Sequence, residues 1–157
     1  MSGAARALHD AALVWDNNTC MPLENTAASL PELRRFRSAG VDIVAVNIGD
    51  SHISLEKQVR MAAEVRRFIF MHPAEFALIT KASDITRAKA DGKLGVFFDV
   101  EGGYAMGEQL SVLQLYVDLG VRWMLLVYNT RNHIGFGVHD RSKCAFPLRG
   151  TRPTPSA

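Results

Sequence analysis

Three times in this chain a helical stretch closes at a glycine and an apolar strand follows directly: at Gly40, Gly92 and Gly120. Glycine enters the left-handed region that ends a helix without steric cost, so each marks a handover from helix to strand. Helix and strand alternating in this way is the pattern of a parallel α/β sheet, whose neighbouring strands need a crossover between them. The strands so marked run over 41–47, 94–100 and 121–127, with a further apolar strand at 11–15. Helices are predicted at 29–39, 54–72, 83–91 and 108–119. In the longest of these, Leu55, Val59, Ala62, Val65 and Ile69 recur at steps of three and four and share one face. Ser54 suits its N-cap, and Glu56 the positive end of its dipole. Right-handed crossovers would set the strands side by side in chain order.

The strand 94–100, Leu-Gly-Val-Phe-Phe-Asp-Val, is apolar in both registers and so reads as covered on both faces. It runs into Glu101, Gly102 and Gly103. In βα-repeat folds, residues just past a strand's carboxyl end line the mouth where ligands bind. Glu101 there is a candidate catalytic or ligand-binding carboxylate, with the glycines leaving room beside it. The alternative is a Glu that caps the next helix.

Charge and cysteine usage narrow the class. The net charge is +2, and four basic side chains with no acidic one follow residue 140, which leaves −2 on the remainder. That balance argues against a nucleic-acid surface. Two cysteines, Cys20 and Cys144, without an apolar leader at the N-terminus suggest free thiols and a cytoplasmic setting. No run reaches transmembrane length. There is no Gly-rich phosphate loop, no Gly-x-Ser-x-Gly elbow and no Cys-x-x-Cys. The histidines, at 9, 52, 72, 133 and 139, form neither an H-x-D nor an H-x-x-x-H pair. His52 follows the strand 41–47 and is the one placed on the ligand-binding rim.

Several stretches resemble the membrane (renal-type) dipeptidases, the M19 metallopeptidases: Phe98–Gly103, Leu110–Tyr116, Leu119–Leu126, Ala12–Leu23 and Leu33–Val41. The resemblance implies a (β/α)8 TIM-type barrel of the metal-dependent-hydrolase kind, two zinc ions and hydrolysis of dipeptides. It implies a metal-bridging role for Glu101. In that family the first strand ends in Asp-Gly-His-x-Asp. Here Asp16 matches, Asn18 stands at the His position and Cys20 at the final Asp. Both are positional matches for metal ligands only, since a carboxamide oxygen is a poor zinc ligand beside imidazole. Tyr128 falls where a substrate-contacting His would stand, and is the candidate substrate-binding residue. The family's remaining metal-ligand histidines come from its fifth and sixth strands.

About four βα units are legible here, against the eight of a closed barrel. The expectation is therefore a partial barrel over 1–137 and a basic, Pro-containing tail over 138–157, disordered either as an ordinary terminus or through a frameshift or truncation. Three functional readings follow: a truncated and inactive dipeptidase fragment, a catalytically dead half-barrel acting as a self-associating or binding protein, and a product with no function. Strands in a half-barrel would leave residues such as Val44, Val46, Phe97 and Leu125 without opposing cover, which predicts a homo-oligomer through the open sheet edges or a sticky, partly ordered species.

Overall fold

The computed structural model describes residues 2–21 and 26–140. The tail expected at 138–157 lies outside the described residues from 141 onward. The elements, in order, are helix α1 (Gly3–Ala11), strand β1 (Trp15–Thr19), helix α2 (Thr26–Ser29), a 3-10 turn (Leu30–Glu32), helix α3 (Leu33–Ser38), β2 (Ile43–Asn47) and α4 (Leu55–Met71). Then come β3 (Phe76–Leu78), α5 (Ala82–Ala90), β4 (Leu94–Glu101), a second 3-10 turn (Gly103–Met106), α6 (Ser111–Leu119) and β5 (Val121–Leu125).

All five strands are parallel and form one sheet. β1 pairs with β2, and β2 with β4, the deepest strand. The other edge of β4 is shared: β3 pairs with its first residues, Leu94–Val96, and β5 with its last, Phe98–Glu101. The four predicted strands are thus neighbours in chain order, with a short extra strand wedged beside the start of β4. The three marker glycines all have positive φ, at +84° for Gly40, +64° for Gly92 and +114° for Gly120. At Gly120 the amide closes α6 on the carbonyls of Tyr116 and Val117, and β5 starts at the next residue.

Several boundaries differ from expectation. The first strand begins at Trp15, where the predicted one ends, because α1 occupies the chain through Ala11. Val14 then docks on β2, accepting from the amides of Asp42 and Ile43 while its own amide donates to the Asp42 carboxylate. The helix expected at 29–39 is broken by Pro31, which has no amide hydrogen to donate, and a 3-10 turn carries the chain into α3. The helix expected from 108 starts at Ser111, since Gly102 and Gly107, at φ +105° and +55°, bracket a separate 3-10 turn.

The sheet is covered on both faces. On one, Val44, Val46, Val96, Phe98 and Val100 pack with Met61, Ala62, Val65 and Ile69 of α4 and with Val112 and Tyr116 of α6. On the other, Ile43, Ala45 and Phe97 pack with Ile79, Ala88, Ile85 and Trp123. The expectation that Val44, Val46 and Phe97 lack cover is therefore corrected: they are 0%, 0% and 2% exposed. Val44 and Val46 face the helices, and α5 folds under the second face to bury Phe97. Lys89, near the end of α5, reaches the Asp42 carboxylate and the Ala12 carbonyl, which sets that helix at the amino-terminal end of the sheet. Leu125 is half-buried.

Candidate functional site

With α5 across the amino-terminal end of the second face, the polar side chains on that face gather at the carboxyl ends of the strands. Side chains alternate along β4, so Gly95, Phe97, Asp99 and Glu101 share that face. β4 is apolar up to Asp99 and ends at Glu101, where Gly102 turns the chain away. The backbone there is pinned, the Glu101 amide donating to the Gly49 carbonyl at 2.8 Å and the Gly102 amide to the Leu125 carbonyl at 2.8 Å.

Asn18 and Glu101 meet. The Asn18 carboxamide donates from Nδ2 to Glu101 Oε1 at 2.6 Å, and its Oδ1 accepts from the Cys20 thiol at 3.4 Å. A register irregularity in β1 between Asp16 and Thr19 lets Asn18 reach this position, and the Asp16 carboxylate accepts from the Asn18 amide. Partial burial pushes the Cys20 thiol up, and the carboxylates of Glu101, Asp99, Asp50 and Asp16 push it further. The thiol therefore keeps its proton, in keeping with its role as donor to Asn18.

Below this relay lies a second pair. Asp99 and Asn47 are register partners on β4 and β2, and Asn47 Nδ2 donates to Asp99 Oδ2 at 2.9 Å. Asn47 Oδ1 accepts from the Gly49 amide at 3.0 Å, which fixes the start of the β2–α4 loop. Asp99 has none of its surface exposed, and its Oδ1 has no partner among the described residues. Burial pushes its carboxyl up to about 7, against the pull of the Asn47 hydrogen bond and with a further push from Glu101 and Asp16.

The other predicted residues stand apart from this network. His52 is exposed, and among the described residues only its amide is engaged, donating to the Asp50 carboxylate at 2.6 Å. Tyr128 lies beyond β5 and is 40% exposed; its carbonyl accepts from the Val138 amide. No hydrogen bond among the described residues ties either side chain to Glu101. Asp99 and Asn47 are the residues that sequence reasoning did not single out. Their signal was a polar side chain closing an otherwise apolar, fully buried strand.

The donor set can be tested against the metal that the resemblance implies. Zinc favours imidazole or thiolate. Here the His position carries a carboxamide whose N–H is aimed at Glu101, and the thiol at the Asp position stays protonated. Among the described residues no three His, Cys, Asp or Glu side chains stand close enough to hold a metal ion. These residues do not fit a zinc pair.

Comparison with known proteins places the whole arrangement. In solved structures the fold is similar to an amidohydrolase from Pseudomonas aeruginosa (TM-score 0.73, 20% identity, covering 87% of this chain and 40% of that one). It is also similar to the probable dipeptidase PvdM of the same organism (TM-score 0.71, 18% identity, 85% and 39% covered). A metallo peptidase from Rhodobacter sphaeroides, solved with a phosphinate mimic of the dipeptide L-Ala-D-Ala, matches at TM-score 0.53 and 17% identity, with 71% and 44% covered. In sequence, dipeptidase 3 of Mus musculus is 29% identical over 114 residues, covering 68% of this chain. The chain spans 22% of the length of that relative, and the same share of its Macaca fascicularis counterpart, which is 30% identical. The sequence model of the membrane dipeptidases, peptidase family M19, matches residues 9–146, and the chain belongs to that family.

Proposed function

We propose that this chain is one part of a dipeptidase-type barrel, carrying the bridging carboxylate of a peptide-hydrolysing site but not, by itself, a working zinc centre. The observation that carries this reading is the 2.6 Å hydrogen bond from Asn18 to Glu101. It sets an N–H donor on the oxygen that a bridging metal would need. Dipeptides are the substrate class that the family supplies, and the Rhodobacter sphaeroides relative holds a dipeptide mimic. Catalytic zinc sites normally use three protein ligands per ion, and one carboxylate does not replace them.

The test is zinc content together with hydrolysis of a simple dipeptide by the purified 157-residue chain. Neither is expected. Stoichiometric zinc with hydrolysis abolished by Glu101→Gln would overturn the reading. The double change Asn18→His with Cys20→Asp is expected to raise zinc retention, because it restores an imidazole and a carboxylate at the first-strand positions.

A second reading, self-association, is favoured by a separate observation. Leu110, at the N-cap of α6, and Leu113 and Val117 within it fall at steps of three and four on one side and are exposed, beside β5, which among the described residues pairs only with β4.

A further inference from the structure

The outer layer carries a second exposed apolar feature besides the row on α6. Val59, Ala63, Arg66 and Phe70 recur at steps of four, three and four, so they share one side of α4, away from its buried Met61, Val65 and Ile69. With Leu119 of α6 opposite, this side forms an open groove of about 470 Å³. Ala63 keeps its middle low, and Phe70 and Met71 beyond it are 65% and 67% exposed. The groove is also cationic. Arg66 donates to the Leu119 carbonyl at 2.7 Å and lies 5.9 Å from the centre of the Phe70 ring, and Arg67 lines the groove next to it. Neither guanidinium meets a carboxylate among the described residues.

Rows of side chains on one helix seat between the rows of others, and two uncompensated guanidiniums favour a negative surface opposite them. The groove therefore suits a helix with an apolar row and an acidic flank. One surface of this same chain meets both demands. The exposed row of Leu110, Leu113 and Val117 lies in a stretch from Gly102 to Val121 that contains Glu108 and Asp118 and no basic residue. Both carboxylates are exposed; Asp118 accepts only from Gln114 of its own helix, and Glu108 has only His133 near it, at 3.6 Å. Helix α1 also exposes a leucine, Leu8 at 72%, but its Asp10 is already paired with Arg6. Val112 and Tyr116 pin α6 to the sheet, so its row cannot turn into the groove of its own chain.

We propose that the groove between α4 and α6 receives the α6 row of a second copy of this chain, with Arg66 and Arg67 facing the acidic flank of the incoming helix. The contact joins unlike surfaces. A dimer made this way keeps one free row and one free groove, so further copies can add to it. The inference rests on the self-association reading above and names the surface that receives the α6 row.

The experiment is sedimentation velocity of the full 157-residue chain with two variants, each checked for a cooperative melt. Ala63→Glu blocks the groove at an exposed position and places a carboxylate beside Arg67; Leu113→Glu with Val117→Glu spoils the row. Wild type is expected to associate as concentration rises, and each variant alone to stay monomeric. Mixed in equal amounts, the two variants are expected to recover association and to stop at a heterodimer, because one supplies the intact row and the other the intact groove. If Ala63→Glu associates by itself as wild type does, the row meets another row and the proposal is overturned, while self-association stands. A mixture that stays monomeric overturns it as well. Wild type that is monomeric at every concentration removes the self-association reading and the groove with it. Should Ala63→Glu lose its cooperative melt, Arg67→Glu takes its place in the same mixture, with the same outcomes deciding.

Discussion

Asp99 and Asn47 face each other across two strands at the one level where the sheet interior changes from apolar to polar. The Asp99 carboxylate is a net cost, because burial disfavours its charge and the nearby carboxylates repel it. Asp99→Asn keeps an oxygen to accept from Asn47 and removes the charge. It is expected to raise the melting temperature at pH 8, and a lower melt would contradict this account. A second buried polar contact makes the opposite prediction. Tyr116 donates from its hydroxyl to Gln58 Oε1 at 2.6 Å, and Gln58, also fully buried, donates to the Ile53 carbonyl. Tyr116→Phe strands the Gln58 oxygen and is expected to destabilise by about 1–3 kcal/mol in denaturant titration. The place of Glu101 at a strand end was legible from sequence, because it follows an apolar run just before two glycines. Asp99 was not, because a single charged residue inside such a strand gains meaning only once register sets it beside Asn47 and on the face of Glu101.

At the scale of elements, two of the parts that sequence reasoning missed, β3 and α5's place under the sheet, share a cause. β3 has only Phe76–Leu78, too short to show a period of two, and its pairing with Leu94–Val96 is long-range. The helix at 82–90 was legible, but its docking on Ile43, Ala45 and Phe97 follows from β3's position rather than from any local pattern. The start of that helix is held by Asp84. Its Oδ2 accepts from the Thr80 hydroxyl at 2.7 Å, from the Thr80 amide and from the Lys81 amide. The Thr80 hydroxyl and amide are the main reasons that its carboxyl is held down at about 2, below the ordinary 3.8. A depressed carboxylate stabilises the fold above its unfolded value and loses that contribution as pH falls through the folded one. Asp84→Ala should therefore cost about 1 kcal/mol at pH 7, the magnitude of a typical helix-start contact. The gap between variant and wild type should narrow from about pH 4 downward and close only below about pH 2. A gap that stays constant across that range would show that Asp84 acts through packing rather than through its charge.

Whole-molecule behaviour turns on which apolar surface remains uncovered. Judged from sequence, the wet surface of a half-barrel is the inner sheet face, with side chains such as Val44, Val46 and Phe97. In the folded chain the helices bury the two valines and α5 buries Phe97. The uncovered surface is instead on the outer layer. There α6 buries only Val112 and Tyr116 and exposes Leu113 at 39% and Val117 at 48%, with Leu110 at its N-cap 75% exposed. These side chains run along one side of the helix, next to β5, whose other edge pairs with no strand among the described residues. Covering a large apolar side chain completely is worth roughly 1.5–3 kcal/mol. Two copies joined through this stripe would gain several such terms against the cost of association. The expected outcome is concentration-dependent dimerisation in sedimentation velocity. The double substitution Leu113→Glu with Val117→Glu should shift the chain to monomer while leaving its melt cooperative, because neither residue belongs to the buried core of α6. A wild-type chain that sediments as a monomer at every concentration would eliminate this surface as an interface. A double variant that still dimerises would move the contact to the edge of β1 at the other side of the sheet.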